Sequence, residues 1–401
     1  MIRFTTGGES HGKGLVALLE GIPAGVPLVA EDVNRELRRR MAGYGRGARM
    51  KIEADAVELL GGVRAGATLG SPIAMLIWNR DWENWKDVMT PEPDPGGAGV
   101  RRRRVTRPRP GHADLVGMLK YDREDARDIL ERASARETVA RVACGAVCRR
   151  LLGEFGVEIG SHVVELGSVK VPEGVPLPTP INQAADQSPV RCLDAGASQA
   201  MVAAVDAATK ARDTLGGVAE VVVRGLVLGL GAHVSWDRKL DGRLAQAVMS
   251  IPAVKGIEIG LGFEAARRRG SEAHDAIRRG GGDATGGFAR RTNRAGGLEG
   301  GMTTGEPLVI RAAMKPLSTL RRPLETVDMD TGEAAKAQSE RSDVTAVPAM
   351  GVVAEAMVAI VVAQAMVEKF GGDTLAEMRE NYDAYLRRLN RRREQLASDG
   401  E

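Results

Sequence analysis

Apolar residues recur with two different periods along this chain, and the switches between them predict its elements. Val33, Leu37 and Met41 share one face of a helix expected over Glu31–Met41, which Gly43 and Gly45 stop. Met50–Leu60 and Pro72–Trp78 read as strands. Trp82, Trp85 and a loop from Pro91 to Gly99 then break the pattern. The sharpest helix signal begins at Ser134, whose spacing to Glu137 predicts a capping box. An apolar stripe of Val139, Val142, Ala143, Ala146 and Val147 follows, bracketed by Gly153 and Gly156. Gly156–Val171 alternates as a strand, and Pro172–Pro189 reads as a proline-rich connection.

The second half repeats the mixture. Ser198–Arg212 and Lys239–Met249 read as helices, Ala219–Leu230 and Val309–Met314 as strands, and Val254–Phe263 as extended. Gly270–Gly301 reads as a long glycine- and arginine-rich loop, of a length that is usually functional or disordered. Pro348–Phe370 and Thr374–Gln395 read as helices, with residues 396–401 as a frayed tail. The most apolar stretch, Ala346–Val367, carries Glu355 near its middle. A carboxylate there is costly in a bilayer, so the expectation is a buried helix and no membrane span. Helices do not alternate regularly with single buried strands, which disfavours a doubly wound parallel sheet. The similar order of elements in the two halves suggests internal duplication within one domain over residues 1–395.

Composition changes this picture little. Of 401 residues, 43% are hydrophobic and 27% charged, an ordinary globular balance on a chain long enough to bury a large core. Cys144, Cys148 and Cys192 make no disulfide framework, and the first residues carry no apolar leader, so a cytoplasmic location is expected. Cys144 and Cys148 lie one helical turn apart, but no histidine pattern joins them, so they read as small buried residues and no metal is expected.

Charge changes it more. The net charge is only +3, yet Arg38–Arg40, Arg46, Arg49, Lys51, Arg101–Arg104, Arg107 and Arg109 are clustered. Such clusters either form a solvated face or meet a polyanion. With 3% aromatic residues and no helix-turn-helix or zinc pattern, a specific nucleic-acid binder is disfavoured. An FMN reductase of other chemistry is a second alternative, against which the missing dinucleotide fingerprint counts only mildly.

Four segments could carry chemistry. Gly8-Glu9-Ser10-His11-Gly12 puts a histidine between glycines that let the backbone approach a ligand, although a turn with an incidental histidine has the same sequence. Arg107-Pro108-Arg109-Pro110-Gly111-His112-Ala113-Asp114 is a stiff basic loop suited to a phosphate or to the surface. Glu131-Arg132-Ala133-Ser134-Ala135-Arg136-Glu137-Thr138 places arginines at a helix start, which is either an anion site or a well-capped helix. Arg341-Ser342-Asp343 pairs a carboxylate with an arginine, most often a surface ion pair.

Together these segments closely resemble the chorismate synthase family. The first signature continues through Leu15, Val16, Leu18, Leu19, Glu20, Gly21 and Pro23; the second runs from Glu131 to Gly145; the third runs from Arg341 to Glu355-Ala356-Met357. The resemblance implies an α+β fold, a single large β-α-β sandwich with a helical layer between two antiparallel sheets, assembled as a homotetramer. It implies the last step of the shikimate pathway to aromatic amino acids, a 1,4-elimination of phosphate from 5-enolpyruvylshikimate 3-phosphate. That reaction requires reduced FMN without net redox change. NADPH is a candidate reductant, and an external flavin reductase is the alternative.

Site residues follow from the same resemblance. His11 would protonate the departing phosphate, and His112 would stabilise the reduced flavin. Asp343 would help accept the C6 proton, and Ser10 and Ser134 would relay hydrogen bonds. Arg49, Arg109, Arg136 and Arg341 would bind substrate. Arg40, Arg46, Arg132, Ala133, Ser134, Ala253, Gly300, Lys315, Pro316, Leu317, Ser318, Thr319 and Arg341 would line the cofactor site. One departure stands out: many relatives have Asn where this chain has Pro252, and proline offers neither an N–H nor a side-chain amide.

Overall fold

A computed structural model describes residues 1–47, 55–93, 104–339 and 343–398. One sheet has the order β1 (Arg3–Gly7), β2 (Gly14–Glu20), β4 (Ile73–Trp78), β3 (Val57–Gly61), with every neighbour antiparallel. Along β2, Leu15, Ala17 and Leu19 are buried while Val16, Leu18 and Glu20 face out, the period-two pattern of a strand covered on one side. The second sheet, also antiparallel, has the order β8 (Val254–Ile259), β9 (Leu308–Met314), β7 (Gly217–Arg224), β5 (Glu158–Leu166), β6 (Val169–Lys170).

Four helices fill the space between the sheets: α1 (Ala30–Met41), α2 (Thr138–Gly153), α3 (Leu240–Met249) and α4 (Val347–Phe370). The fold is therefore the α+β sandwich expected, with antiparallel sheets on either side of a helical layer. Helix α4 is long and apolar enough to cross a membrane, but 89% of its most apolar window is buried against the other helices and the second sheet. It crosses α2 where Gly145 faces Ala356, so closely that a Cβ on Gly145 would overlap Ala356. Glu355 stays charged in this core because Arg39, Arg149 and Arg191 surround it, with Ser161 donating to it at 2.6 Å. Cys144 and Cys148 are buried on α2, and burial pushes the Cys148 thiol up to about 12.

Several boundaries differ from expectation. Residues 50–54 of the Met50–Leu60 segment lie outside the described residues, and the strand seen begins at Val57. Pro172–Pro189 contains a helical turn, Ile181–Ala185, whose Ile181 covers Gly160 on the outer face of the second sheet. Val254–Phe263 is extended only to Ile259. Gly270–Gly301 is not a bare loop: it holds a turn of helix (Gly270–Ala273) and a hairpin pairing Ile277–Arg279 with Phe288–Arg290. The carboxylate of Asp275 pins it by accepting the N–H groups of Arg294 and Ala295, each at 2.9 Å. The C-terminal helix, α5 (Leu375–Ser398), runs past Gln395 into the segment expected to fray.

Candidate active site

A cavity of about 510 Å³ opens at one end of the helical layer. Its walls come from the β1–β2 turn, the loop after α1, the turn before α2, the starts of β8 and α4, and the segment after β9. Gly8 makes the first of these possible: its φ is +98°, and a Cβ there would overlap the Gly14 carbonyl. The chain then turns so that Ser10 and His11, both buried, reach the cavity.

His11 is held from behind. Its Nδ1 lies 2.9 and 2.8 Å from the two carboxylate oxygens of Glu131, and its backbone N–H donates to the same group at 2.9 Å. Burial resists ionisation of Glu131, but the hydrogen bond from the His11 ring, the charge on that ring, the His11 N–H and Arg127 outweigh it and lower the carboxyl's pKa. Arg127 donates to Glu131 at 2.8 Å. Beside His11, Ser134 donates to the Ser10 hydroxyl at 3.1 Å.

His112 is held the same way. Asp114, fully buried, accepts from the His112 ring and from Arg109, whose Nε is 2.8 Å away. Burial opposes the charge here as well, yet the bonds from His112 and Arg109 keep this carboxyl well below the usual carboxylate range. Gly111, at φ +78°, turns the backbone between the two, and Lys315 donates to its carbonyl.

Among the described residues, four arginines line the cavity, each oriented by groups behind it. Arg40 donates to the Ala135 carbonyl at 2.8 Å and to Thr138 at 2.9 Å. Arg136 donates to Asp55 at 3.1 Å. Arg109 donates to Thr319 at 2.8 Å as well as to Asp114. Arg46 lies 2.9 Å from Asp343, whose other oxygen accepts Gly47 N–H at 2.6 Å. Guanidinium groups fixed in this way need little rearrangement to meet an anion. Ala253, a non-glycine residue at φ +68°, and the neighbouring Pro252 complete one wall; such strained backbone is concentrated at functional sites.

Most of the residues named from sequence are thus brought together: Ser10, His11, Arg40, Arg46, Arg109, His112, Ala133, Ser134, Arg136, Ala253, Lys315, Leu317, Ser318, Thr319 and Asp343 all line this cavity. Arg132, Pro316 and Gly300 do not. Arg132 instead donates to the Thr6 and Gly8 carbonyls, both at 3.0 Å, and ties the first signature to the second. Gly300 sits in the turn of a small hairpin, near His233 and Met302. Arg49 and Arg341 lie outside the described residues. The capping box is only half formed. Ser134 caps by accepting Arg136 N–H at 3.3 Å, but Glu137 bonds Thr6 at 3.0 Å and Arg141 at 2.9 Å, because those partners compete for its carboxylate. Sequence reading missed the roles of Glu131, Asp114 and Asp55. The first two stood inside recognised segments, and only their partners were missing.

The fold sets these arginines around a single cavity, which suits a small anionic ligand. The chorismate synthase family profile matches residues 2–367. The chain is 60% identical over 394 residues to the chorismate synthase of Streptomyces coelicolor, covering 97% of this chain and 99% of that one. It is 58% identical over 391 residues to that of Thermobifida fusca, covering 96% and 98%. A crystal structure of a chorismate synthase superposes with a TM-score of 0.77 at 42% identity, covering 97% of this chain and 98% of that one. The chain belongs to the chorismate synthase family, lyases of aromatic amino acid biosynthesis.

Proposed function

We propose that this enzyme converts 5-enolpyruvylshikimate 3-phosphate to chorismate and phosphate with reduced FMN bound in the cavity described above. The observation that carries the reading is two histidines, each backed by a buried carboxylate, in one cavity with four oriented arginines. The substrate brings two carboxylates and a phosphate, and FMN brings another phosphate. Packing these together requires the excess of cations found here.

In the reaction a proton leaves C6, the C3–O bond breaks, phosphate departs, and the electron pair becomes a second ring double bond. No net oxidation occurs. When bound, reduced FMN supplies transient electron density to the substrate. Arg40, Arg46, Arg109 and Arg136 hold the anionic groups, joined by Arg49 and Arg341. His11 protonates the departing phosphate. Asp343 accepts the proton from C6. His112, its ring fixed by Asp114, offers a hydrogen bond to the reduced cofactor. Ser10 and Ser134 relay hydrogen bonds beside His11. Ala133, Ala253, Lys315, Leu317, Ser318 and Thr319 form the cofactor wall, and Arg132 supports it through Thr6 and Gly8. Pro252 offers that wall neither an N–H nor a side-chain amide. Gly300 and Pro316, off the wall, have no part in this reading.

We further propose a cytoplasmic homotetramer. The outer face of the first sheet supports self-association, since Val16, Leu18, Leu60 and Trp78 are exposed there together. The test of function is turnover under anaerobic conditions with dithionite-reduced FMN: chorismate and phosphate should appear in equal amounts, and absence of both removes the reading. Repeating it in air with NADPH instead of dithionite decides the reductant. Product then marks an intrinsic flavin reductase, and none marks an external one.

A further inference from the structure

The imidazole of His11 is gripped on two sides by residues that the elimination chemistry leaves without a role. Behind it stands Glu131, taking both the ring Nδ1 and the backbone N–H. Against its face lies Trp85, with ring centroids 3.7 Å apart and planes inclined by 24°. The indole is itself anchored, because its N–H donates to Asp81 at 2.9 Å. Arg127 joins the two supports: it is paired with Glu131, and its guanidinium lies 5.3 Å from the centre of the indole ring.

Each support constrains a different property of the ring. An ionised carboxylate can only accept, so the nitrogen facing Glu131 must carry a proton. Glu131 is kept ionised by the same contacts that lower its pKa. Any proton that His11 gives to the cavity therefore leaves from Nε2. The stacked indole fixes the plane in which Nε2 points and excludes water from that face.

We propose that Trp85 and Glu131 are positioning residues that hold His11 as one tautomer in one plane, making Nε2 its sole proton-transfer atom. The proposal rests on the reading of His11 as the acid for the departing phosphate. Among the described residues, the charged groups around the ring include Glu131 and Arg127 behind it, Asp81 through the indole, and Arg40, Arg46 and Arg136 on the cavity walls.

The test uses the full-length protein as wild type, Trp85→Phe, Trp85→Ala, Glu131→Gln and His11→Gln. An imidazolium in contact with an indole quenches its emission more than neutral imidazole does. Without substrate, wild-type tryptophan emission should fall in a step on acidification. That step should vanish in His11→Gln and Trp85→Phe, and its midpoint should move to lower pH in Glu131→Gln. In turnover, Trp85→Ala and Glu131→Gln should lower kcat roughly 10-fold or more with KM nearly unchanged, because misplacing a reacting group costs rate. Trp85→Phe keeps a stacked ring and should stay near wild type. A step that persists in His11→Gln, or wild-type kcat in Trp85→Ala, overturns the proposal. If Trp85→Ala melts early, Trp85→Phe and the midpoint in Glu131→Gln decide. If even the wild type makes no chorismate, the proposed reaction falls, while the emission step still tests the clamp.

Discussion

The guanidinium of Arg46 lies 2.9 Å from the carboxylate of Asp343, so the group proposed to take the C6 proton is bound to one proposed to hold an anion. Gly47 N–H fixes the other oxygen at 2.6 Å. Asp343→Asn keeps one acceptor oxygen and turns the other into an NH2 donor, so it removes the charge and the ability to take up a proton at the cost of one of these two contacts. It should lower kcat by roughly 10²–10⁴-fold with KM within a few-fold of wild type. Anaerobic steady-state kinetics read this directly, and an unchanged kcat would remove Asp343 from the chemistry.

Asp114 serves two site residues from one buried position. Asp114→Ala strips Arg109 and His112 of their common partner and leaves the buried arginine without its carboxylate. Breaking such a pair costs about 3–5 kcal/mol. We expect a lower unfolding midpoint in urea together with slower turnover. Wild-type stability in this variant would mean that the pair contributes nothing to the fold.

Glu355 links stability to pH. Burial opposes its charge, but Arg39, Arg149 and Arg191 outweigh that and hold the carboxyl well below the usual range. A depressed pKa contributes stability that is present above the unfolded value of about 4.3 and is lost as pH falls toward the folded value. Between those values the unfolded chain binds more protons, so stability rises with pH. Urea midpoints should therefore drop more steeply below about pH 4 in wild type than in Glu355→Gln. Parallel curves for the two proteins would refute the linkage.

Gly145 sets how closely α2 approaches α4. An alanine there would put its Cβ 2.8 Å from the Ala356 carbonyl oxygen and closer still to that residue's side chain. Overpacking of this kind costs about 1–3 kcal/mol, and here backbone would have to move. Gly153, near the end of the same helix, has nothing within 4 Å of its added Cβ, so Gly153→Ala is the control and should be neutral or slightly stabilising. Thermal melting of the two variants should separate clearly, and equal melting temperatures would show that the crossing adapts.

Strands β4, β7 and β9 and helix α2 are legible in the sequence because burial imposes a period on them, whereas β1 and β2 were not read as strands. The hairpin within 270–301 is not legible either. Its strands are three residues each, and it is pinned by Asp275, a single side chain with no periodic signal. The site was legible only as a set. His11 between glycines is ambiguous alone, and its partner Glu131 is 120 residues away, beyond the reach of local pattern. Trp85 looked like an interruption between elements, and its stacking on His11 emerges only in three dimensions. Arg132 was named as a cofactor contact from the family resemblance, and its side chain bonds the Thr6 carbonyl on β1, a partner 126 residues away that no local pattern signals.

The most direct test of the central claim is a single anaerobic turnover with reduced FMN and 5-enolpyruvylshikimate 3-phosphate, following chorismate and phosphate together in wild type and His11→Ala. The account expects equal amounts of both products from wild type, and a rate lower by roughly 10²–10⁴-fold in the variant. Phosphate released without chorismate, or wild-type rates from His11→Ala, would contradict it.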